Sequence, residues 1–96
     1  MPVATLTLEL RIEHAQSLKD RRQVVRSLKD KLRHTFNVSV AELDAAELWN
    51  VATVGIAAIS GSRDYLRGQM EQVERAATRI LNDLGATVED SYCEIE

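Results

Sequence analysis

The sequence contains few cysteine and aromatic residues. It contains one cysteine, Cys93, so no disulfide can form within the chain, which fits the reducing cytoplasm. Aromatic residues make up only 4% of the chain, which weakens any RNA-binding mode that stacks bases on aromatic side chains. The sequence has no Cys and His spacing of a metal site and no glycine-rich phosphate loop. We therefore expect no metal and no cofactor.

Long apolar segments are also missing. No apolar run approaches the roughly 20 residues needed to span a bilayer, and the N-terminus lacks the basic and apolar regions of a signal peptide. We expect a cytoplasmic protein with no membrane association. The 96 residues, 45% apolar and 28% charged, predict one small globular domain over residues 1–96.

The residues that most often carry catalysis stand without suitable neighbours. His14 has only Glu13 beside it, and His34 falls in the last turn of a predicted helix, where a cation suits the helix dipole. Cys93 has no adjacent Lys, Arg or His to lower its pKa. The carboxylates are scattered, so no pair can be placed for acid–base work. The sequence predicts no catalytic residue and a protein that is not an enzyme.

Hydrophobic periodicity predicts six elements. Leucine and isoleucine alternate with polar residues in the first strand, and Ser17 is a good N-cap for the helix that follows. The predicted elements are a strand over residues 4–12, a helix from about Leu18 to Thr35, a strand over 37–43, a loop or bulged hairpin over 44–50, a strand over 51–60, a helix from the N-cap Ser62 to the C′ residue Gly85, and a strand over 87–95.

The element order predicts the architecture. A βαββαβ chain with right-handed crossovers favours a ferredoxin-like α+β fold, in which two helices cover one face of a four-stranded antiparallel sheet. The first and third strands would be central, and the second and fourth would be edges. Charged residues discourage unwanted pairing at such edges. The acidic residues expected there are Glu42, Asp44, Glu89, Asp90 and Glu94.

Positive charge is concentrated in the first predicted helix. Residues 14–36 carry a balance of +5 and the rest of the chain −8, which together give the net charge of −3. At 100° per residue, five basic side chains fall within an arc of about 80° and form a line about 21 Å long. This basic ridge consists of Lys19, Arg22, Arg26, Lys29 and Arg33.

Two interpretations of the basic ridge are open. Its residues could contact several phosphates of a nucleic acid, because each Lys or Arg replaces a bound counterion. Alternatively, the ridge is solvated, or it pairs with Glu71 and Glu74 on the second helix. Arg21 lies within the apolar arc near the helix start; we include it among the nucleic-acid-binding candidates as a residue that supports the site or its loop.

The third predicted strand is apolar on both faces, although helices cover only one face of a two-layer fold. A second subunit would cover the other face, so we expect a homodimer. The interface candidates on this strand are Val51, Thr53, Ala57 and Ile59. Trp49 just precedes them and is either a lid packed on the sheet or an interface anchor.

The run AQSLKDRRQVVRSLKDKLRHTFNVSVAE, followed by LW and VGIAAIS, resembles the YlxP-like family of small uncharacterised bacterial proteins. The matching features include Ser17-Leu-Lys with its acid and arginines, the Phe36-Asn-Val-Ser turn, Trp49 and the small-residue third strand. The resemblance implies a ferredoxin-like domain. It also implies association with RNA or ribosomes, because family genes often lie beside those for transcription elongation, translation initiation and ribosome-binding factor A. It supplies no catalytic residues.

Two hypotheses about function follow. In the first, the protein is non-catalytic and binds rRNA or a ribosomal particle through the basic ridge. In the second, it is a dimeric protein–protein or small-ligand regulatory module with no nucleic acid, and the ridge meets an acidic partner or pairs with the acidic edge of the same dimer.

Overall fold

The structure is a computed structural model that describes residues 1–44 and 48–96. Its elements are β1 (Val3–Ile12), α1 (Leu18–Thr35), β2 (Ser39–Glu42), β3 (Val51–Ile59), α2 (Arg63–Asp83) and β4 (Ala86–Ile95). Across the described residues, no helix has the length and apolarity needed to cross a lipid bilayer.

The strands form one antiparallel sheet in the order β2-β3-β1-β4, and both helices pack on the same face. The predicted fold class, a ferredoxin-like α+β domain with β1 and β3 in the centre, is confirmed. Alternation along β1 sends Leu6, Leu8 and Leu10 under the helices, where each is at most 2% exposed.

The helix ends follow from local hydrogen bonding. The Ser17 side chain accepts a hydrogen bond from the backbone N–H of Asp20 at 3.2 Å, and Ser62 accepts one from Tyr65 at 3.1 Å. Each cap satisfies an N–H that has no partner inside the helix. After α2, Gly85 adopts φ +77°, which a residue without a Cβ reaches at little cost, and the chain turns into β4.

The second strand is shorter than its sequence pattern predicts. The strand covers Ser39–Glu42, and the Leu43 N–H adds one hydrogen bond to the Thr53 carbonyl of β3 at 2.9 Å, whereas the alternation suggested a strand over residues 37–43. Alternation reports which face of the chain is apolar; it does not report where a hydrogen-bonded neighbour begins and ends. Residues 45–47 of the predicted loop or bulged hairpin lie outside the described residues.

Candidate nucleic-acid interface

The basic ridge lies along one flank of α1 and points into solvent. Lys19, Arg22, Arg26 and Arg33 are exposed, and Lys29 is half-buried. The helix presents its apolar stripe to the sheet instead, so the five cationic groups are held on one side of a rigid element. The 18-residue length of α1 extends past both ends of the ridge.

The opposite flank of α1 faces the second helix. Lys31 and His34 line a surface groove of about 550 Å³ together with Arg79 and Ile80 of α2. The ridge therefore faces away from α2, on the side of the molecule where α1 lies above β2 and β3.

The acidic residues that could have neutralised the ridge are turned elsewhere. Glu74 accepts a hydrogen bond from the Ser91 hydroxyl at 2.6 Å, which directs its carboxylate toward β4. Glu71 lies close enough to Cys93 on β4 to influence that thiol. Among residues 1–44 and 48–96 there are four ion pairs, and none includes a ridge residue. The ridge is unpaired with respect to the part of the chain that the structure describes.

Arg21 requires a correction. Among the nucleic-acid-binding candidates it is the one that does not present its charge at the surface, because it is 2% exposed and its guanidinium is used within the fold, where it supports the loop after β2. A buried cation is stable only when its donors are satisfied and its charge is compensated. Arg21 meets both conditions, so its guanidinium is not available for a phosphate contact in this structure.

Arg21 joins the start of α1 to the β2–β3 connection through three acceptors. Its Nε donates to the Val51 carbonyl at 2.8 Å, one Nη donates to Glu42, and the other donates to Asp44 at 2.7 Å. The second oxygen of Asp44 accepts the backbone N–H of Thr53 at 3.1 Å. Two residues that the sequence suggested as edge charges, Glu42 and Asp44, thus compensate a buried arginine.

The sheet surface away from the helices is here called the open face. Val51, Thr53, Ala57 and Ile59 all lie on it, because their register partners on β1 are the outward-pointing residues. The first three are half-buried, and Ile59 is 59% exposed. Trp49 is 49% exposed, so the described residues cover about half of it.

Sequence reasoning missed three further residues of the open face. Tyr92 is 50% exposed, Leu43 is 58% exposed, and Gly55 lies beneath Leu43 so closely that an added Cβ would fall 2.8 Å from the Leu43 Cδ1. The alternation of inward and outward residues along β4 does not reveal the position of Tyr92, because a β-bulge interrupts it. The register between β1 and β4 slips between Glu9 and Leu10, which reverses the faces of the following β4 residues.

Outside the ridge and the Arg21 contacts, burial or neighbouring groups shift the pKa values of Cys93 and Glu89. Burial raises the pKa of the Cys93 thiol, and the nearby Glu74 carboxylate raises it further, so the thiol stays protonated at neutral pH. The hydrogen bond from Arg11 lowers the pKa of Glu89. Among the described residues, no group of three His, Cys, Asp or Glu side chains is placed to hold a metal ion.

Together, the βαββαβ order and the sheet order define a small ferredoxin-like α+β protein whose most distinct charged feature is one basic helix flank. The chain belongs to the family described as "protein of unknown function (DUF503)", whose model matches residues 3–88. It is 34% identical over 85 residues to the uncharacterized protein YlxP of Bacillus subtilis strain 168, covering 88% of this chain and 79% of that protein.

Solved structures share the fold at low sequence identity. A dimeric ferredoxin-like protein of unknown function from Thermobifida fusca has a TM-score of 0.53 at 17% identity, covering 100% of this chain and 90% of that one. A de novo designed protein with a ferredoxin fold has a TM-score of 0.55 at 9% identity, covering 100% and 84%. The dinuclear metal-binding M20-family peptidase YXEP of Bacillus subtilis has a TM-score of 0.64 at 13% identity; the match covers 97% of this chain but only 25% of the peptidase.

Proposed function

We propose that this protein is a non-catalytic, RNA-associated protein of the bacterial cytoplasm that contacts rRNA or a ribosomal particle through the basic ridge. The observation that carries the proposal is the alignment of five cationic side chains on one flank of α1, with no ion pair to any described residue. The chain as a whole is net negative, so this local cluster is not a by-product of a basic composition.

The geometry of the ridge suits a phosphate backbone. Consecutive ridge residues are three or four positions apart, which is about 4.5–6 Å along the helix axis. Each contact releases a counterion from the nucleic acid, and this release supplies most of the sequence-independent binding energy. Helix α1 is fixed to the sheet by Arg21, so the cations are held in line before they meet the nucleic acid.

The same surface favours recognition of RNA shape over recognition of base sequence. Double-stranded RNA is bound mainly through its phosphates and 2′-hydroxyl groups, whereas readout of single-stranded bases uses aromatic stacking. The ridge itself contains no aromatic residue. We therefore expect structured RNA, such as an rRNA helix, to be the preferred target.

The test is an affinity pull-down from a bacterial lysate, analysed for both RNA and protein. The three baits are the wild type, a ridge reversal (Arg22→Glu with Arg26→Glu) and a matched reversal on α2 (Arg75→Glu with Arg79→Glu). Both double variants change the net charge equally at exposed positions four residues apart. Far-UV circular dichroism checks that both remain folded.

We expect the wild type and the α2 reversal to recover rRNA or ribosomal subunits, and the ridge reversal to lose them. Ridge-dependent recovery of an acidic protein without RNA would instead favour the regulatory-module hypothesis. Equal RNA recovery by all three baits would overturn the proposal.

A further inference from the structure

The open face combines small residues at its centre with exposed apolar side chains around them. Its centre is made of small residues, with Thr5 and Thr7 on β1 and Gly55 and Ala57 on β3. Large apolar side chains stand around this flat centre. They are Val3, Leu43, Ile59 and Tyr92, of which the last three are at least half exposed. Large apolar side chains exposed together on one face of a sheet can mark a contact site.

A shallow depression of about 400 Å³ lies on one half of this face. Its outward lining comes from Ser39, Ala41 and Leu43 at the β2 edge, together with the small residues of β1 and β3. The Leu43 side chain lies over Gly55, which has no side chain to displace it, and forms one wall of the depression. The β4 half of the same face carries the opposite feature, since the ring of Tyr92 projects from it.

The projecting ring and the depression lie on one row of the sheet. Strand pairing places Tyr92 opposite Thr7, Thr7 opposite Gly55, and Gly55 opposite Ala41. Consider two copies that stack their open faces, related by a twofold axis that runs parallel to the strands between the sheets. Each row of paired residues then faces the same row of the other copy, and the edge strand β4 of one copy faces the edge strand β2 of the other. Under that operation, Tyr92 of each copy lies over Ala41 of the other, and Thr7 lies over Gly55.

The carboxylates of β4 favour a twofold axis parallel to the strands over one perpendicular to them. On the open face, β4 carries Asp90 and Glu94, whereas Ser39 and Ala41 of β2 are uncharged. An axis perpendicular to the strands would place β4 over β4 and bring like charges together, which is unfavourable. The axis parallel to the strands places the acidic edge of each copy over the neutral edge of the other.

We propose that the open face binds a second copy of this chain, with Tyr92 of each copy seated over Ala41 at the β2 side of the other's depression and β4 stacked over β2. Strands of ten, four, nine and ten residues present on the order of 500 Å² in projection, at about 3.3 Å per residue and about 4.8 Å between strands. This is below the roughly 800 Å² per partner of a standard interface, but the projection underestimates the area of a surface with side-chain relief.

The chemistry of Tyr92 suits burial at such a contact. The carboxylate of Glu9 raises the pKa of Tyr92, so its hydroxyl is neutral at physiological pH. A tyrosine supplies a large apolar ring with a polar tip, and such side chains are enriched among the residues that dominate binding energy. The proposal is independent of RNA binding, since the ridge lies on the helix layer on the other side of the sheet.

The first test is sedimentation velocity over a concentration series of the full chain. We expect the wild type to sediment with twice the 10.8 kDa mass of one chain. We expect Tyr92→Ser to raise the dissociation constant of the dimer at least about tenfold. Tyr65→Ser is the matched control, because Tyr65 is also exposed but belongs to α2. A wild type that remains monomeric at about 100 μM, where even weak specific dimers form, would overturn the proposal.

The second test examines the arrangement by charge reversal. Strand pairing places Ser39 and Glu94 on one row, which runs through Ala57 and Thr5. In the proposed dimer, Glu94 of one copy therefore lies over Ser39 of the other. Stacked sheets are commonly rotated by roughly 30°, which shifts this alignment by about one residue. We expect Ser39→Glu to weaken the dimer and the added Glu94→Lys change to restore it. A wild-type dimer that neither Tyr92→Ser nor Ser39→Glu weakens would show that another surface associates, and would overturn the proposal.

Discussion

Arg21 and Asp44 are joined across 2.7 Å between Nη2 and Oδ1, although 22 residues separate them in the chain. The Asp44 carboxylate also accepts the backbone N–H of Thr53 at 3.1 Å. Arg21, near the start of α1, thereby holds both the residue that follows β2 closely in the chain, Asp44, and the first residues of β3. Arg21 is buried, and the 100° step of the helix places its neighbour Arg22 on the exposed flank with the rest of the basic ridge.

The first prediction concerns these adjacent arginines. We expect Arg21→Ala to lower the free energy of unfolding by about 2–3 kcal/mol, because it leaves two carboxylates without their cation. The loss falls below that of a fully buried pair, since the side chains of Glu42 and Asp44 are 31% and 33% exposed and can rehydrate. Urea denaturation followed by circular dichroism measures the change.

The control for this comparison is Arg22→Ala, an exposed change expected to shift stability by no more than about 0.5 kcal/mol. Equal losses for the two variants would mean that the Arg21 contacts contribute nothing to folding.

The second prediction is that two glycines respond to alanine with opposite signs. Gly85 adopts φ +77°, and a Cβ there would lie 3.3 Å from the ring of His14, so Gly85→Ala should cost about 1–2 kcal/mol. Gly68 lies inside α2 with open space around its missing Cβ. Gly68→Ala should therefore stabilise the protein by about 0.5–1 kcal/mol. Thermal unfolding of both variants tests the pair, and a shift in the same direction for both would contradict it.

Local sequence signals predicted the helices and the order of elements well. The bounds of α1 agreed with the prediction because Ser17 caps the helix and apolar residues recur at helical spacing as far as Leu32, in its last turn. Both signals depend on residues within a few positions of each other, so no tertiary information was needed.

Features that depend on distant partners could not be read in the same way. The burial of Arg21 is compensated by Glu42 and Asp44, which are far away in sequence and appeared there as ordinary edge charges. Tyr92 reaches the open face only because a bulge in the β1–β4 register adds a residue near Glu89. Simple alternation from the start of β4 would have placed Tyr92 under the helices.

The third prediction follows from the ion pair between Arg11 and Glu89. The hydrogen bond from Arg11 lowers the pKa of Glu89, so the pair favours the folded state above the ordinary glutamate range and loses this effect as the pH falls through the lowered value. In Arg11→Gln, the pKa of Glu89 should rise toward its ordinary value. NMR titration of the glutamate side chain measures it, and the pKa of Glu89 should be the one that moves most.

A pKa of Glu89 that is the same with and without Arg11 would show that the two side chains are not paired in solution. Both groups are solvent-accessible, so we expect almost no accompanying change in overall stability.

The most direct test of the proposed function is the salt dependence of binding between purified ribosomal subunits and three proteins: the wild type, the ridge reversal and the α2 reversal. If about four phosphates are neutralised, the wild-type log–log slope should lie near −3 to −4. The ridge reversal should lose most of its affinity and about two units of slope, whereas the α2 reversal, with the same net charge, should keep both. No measurable wild-type binding at low salt, or the same loss in both reversals, would contradict a specific role for the ridge.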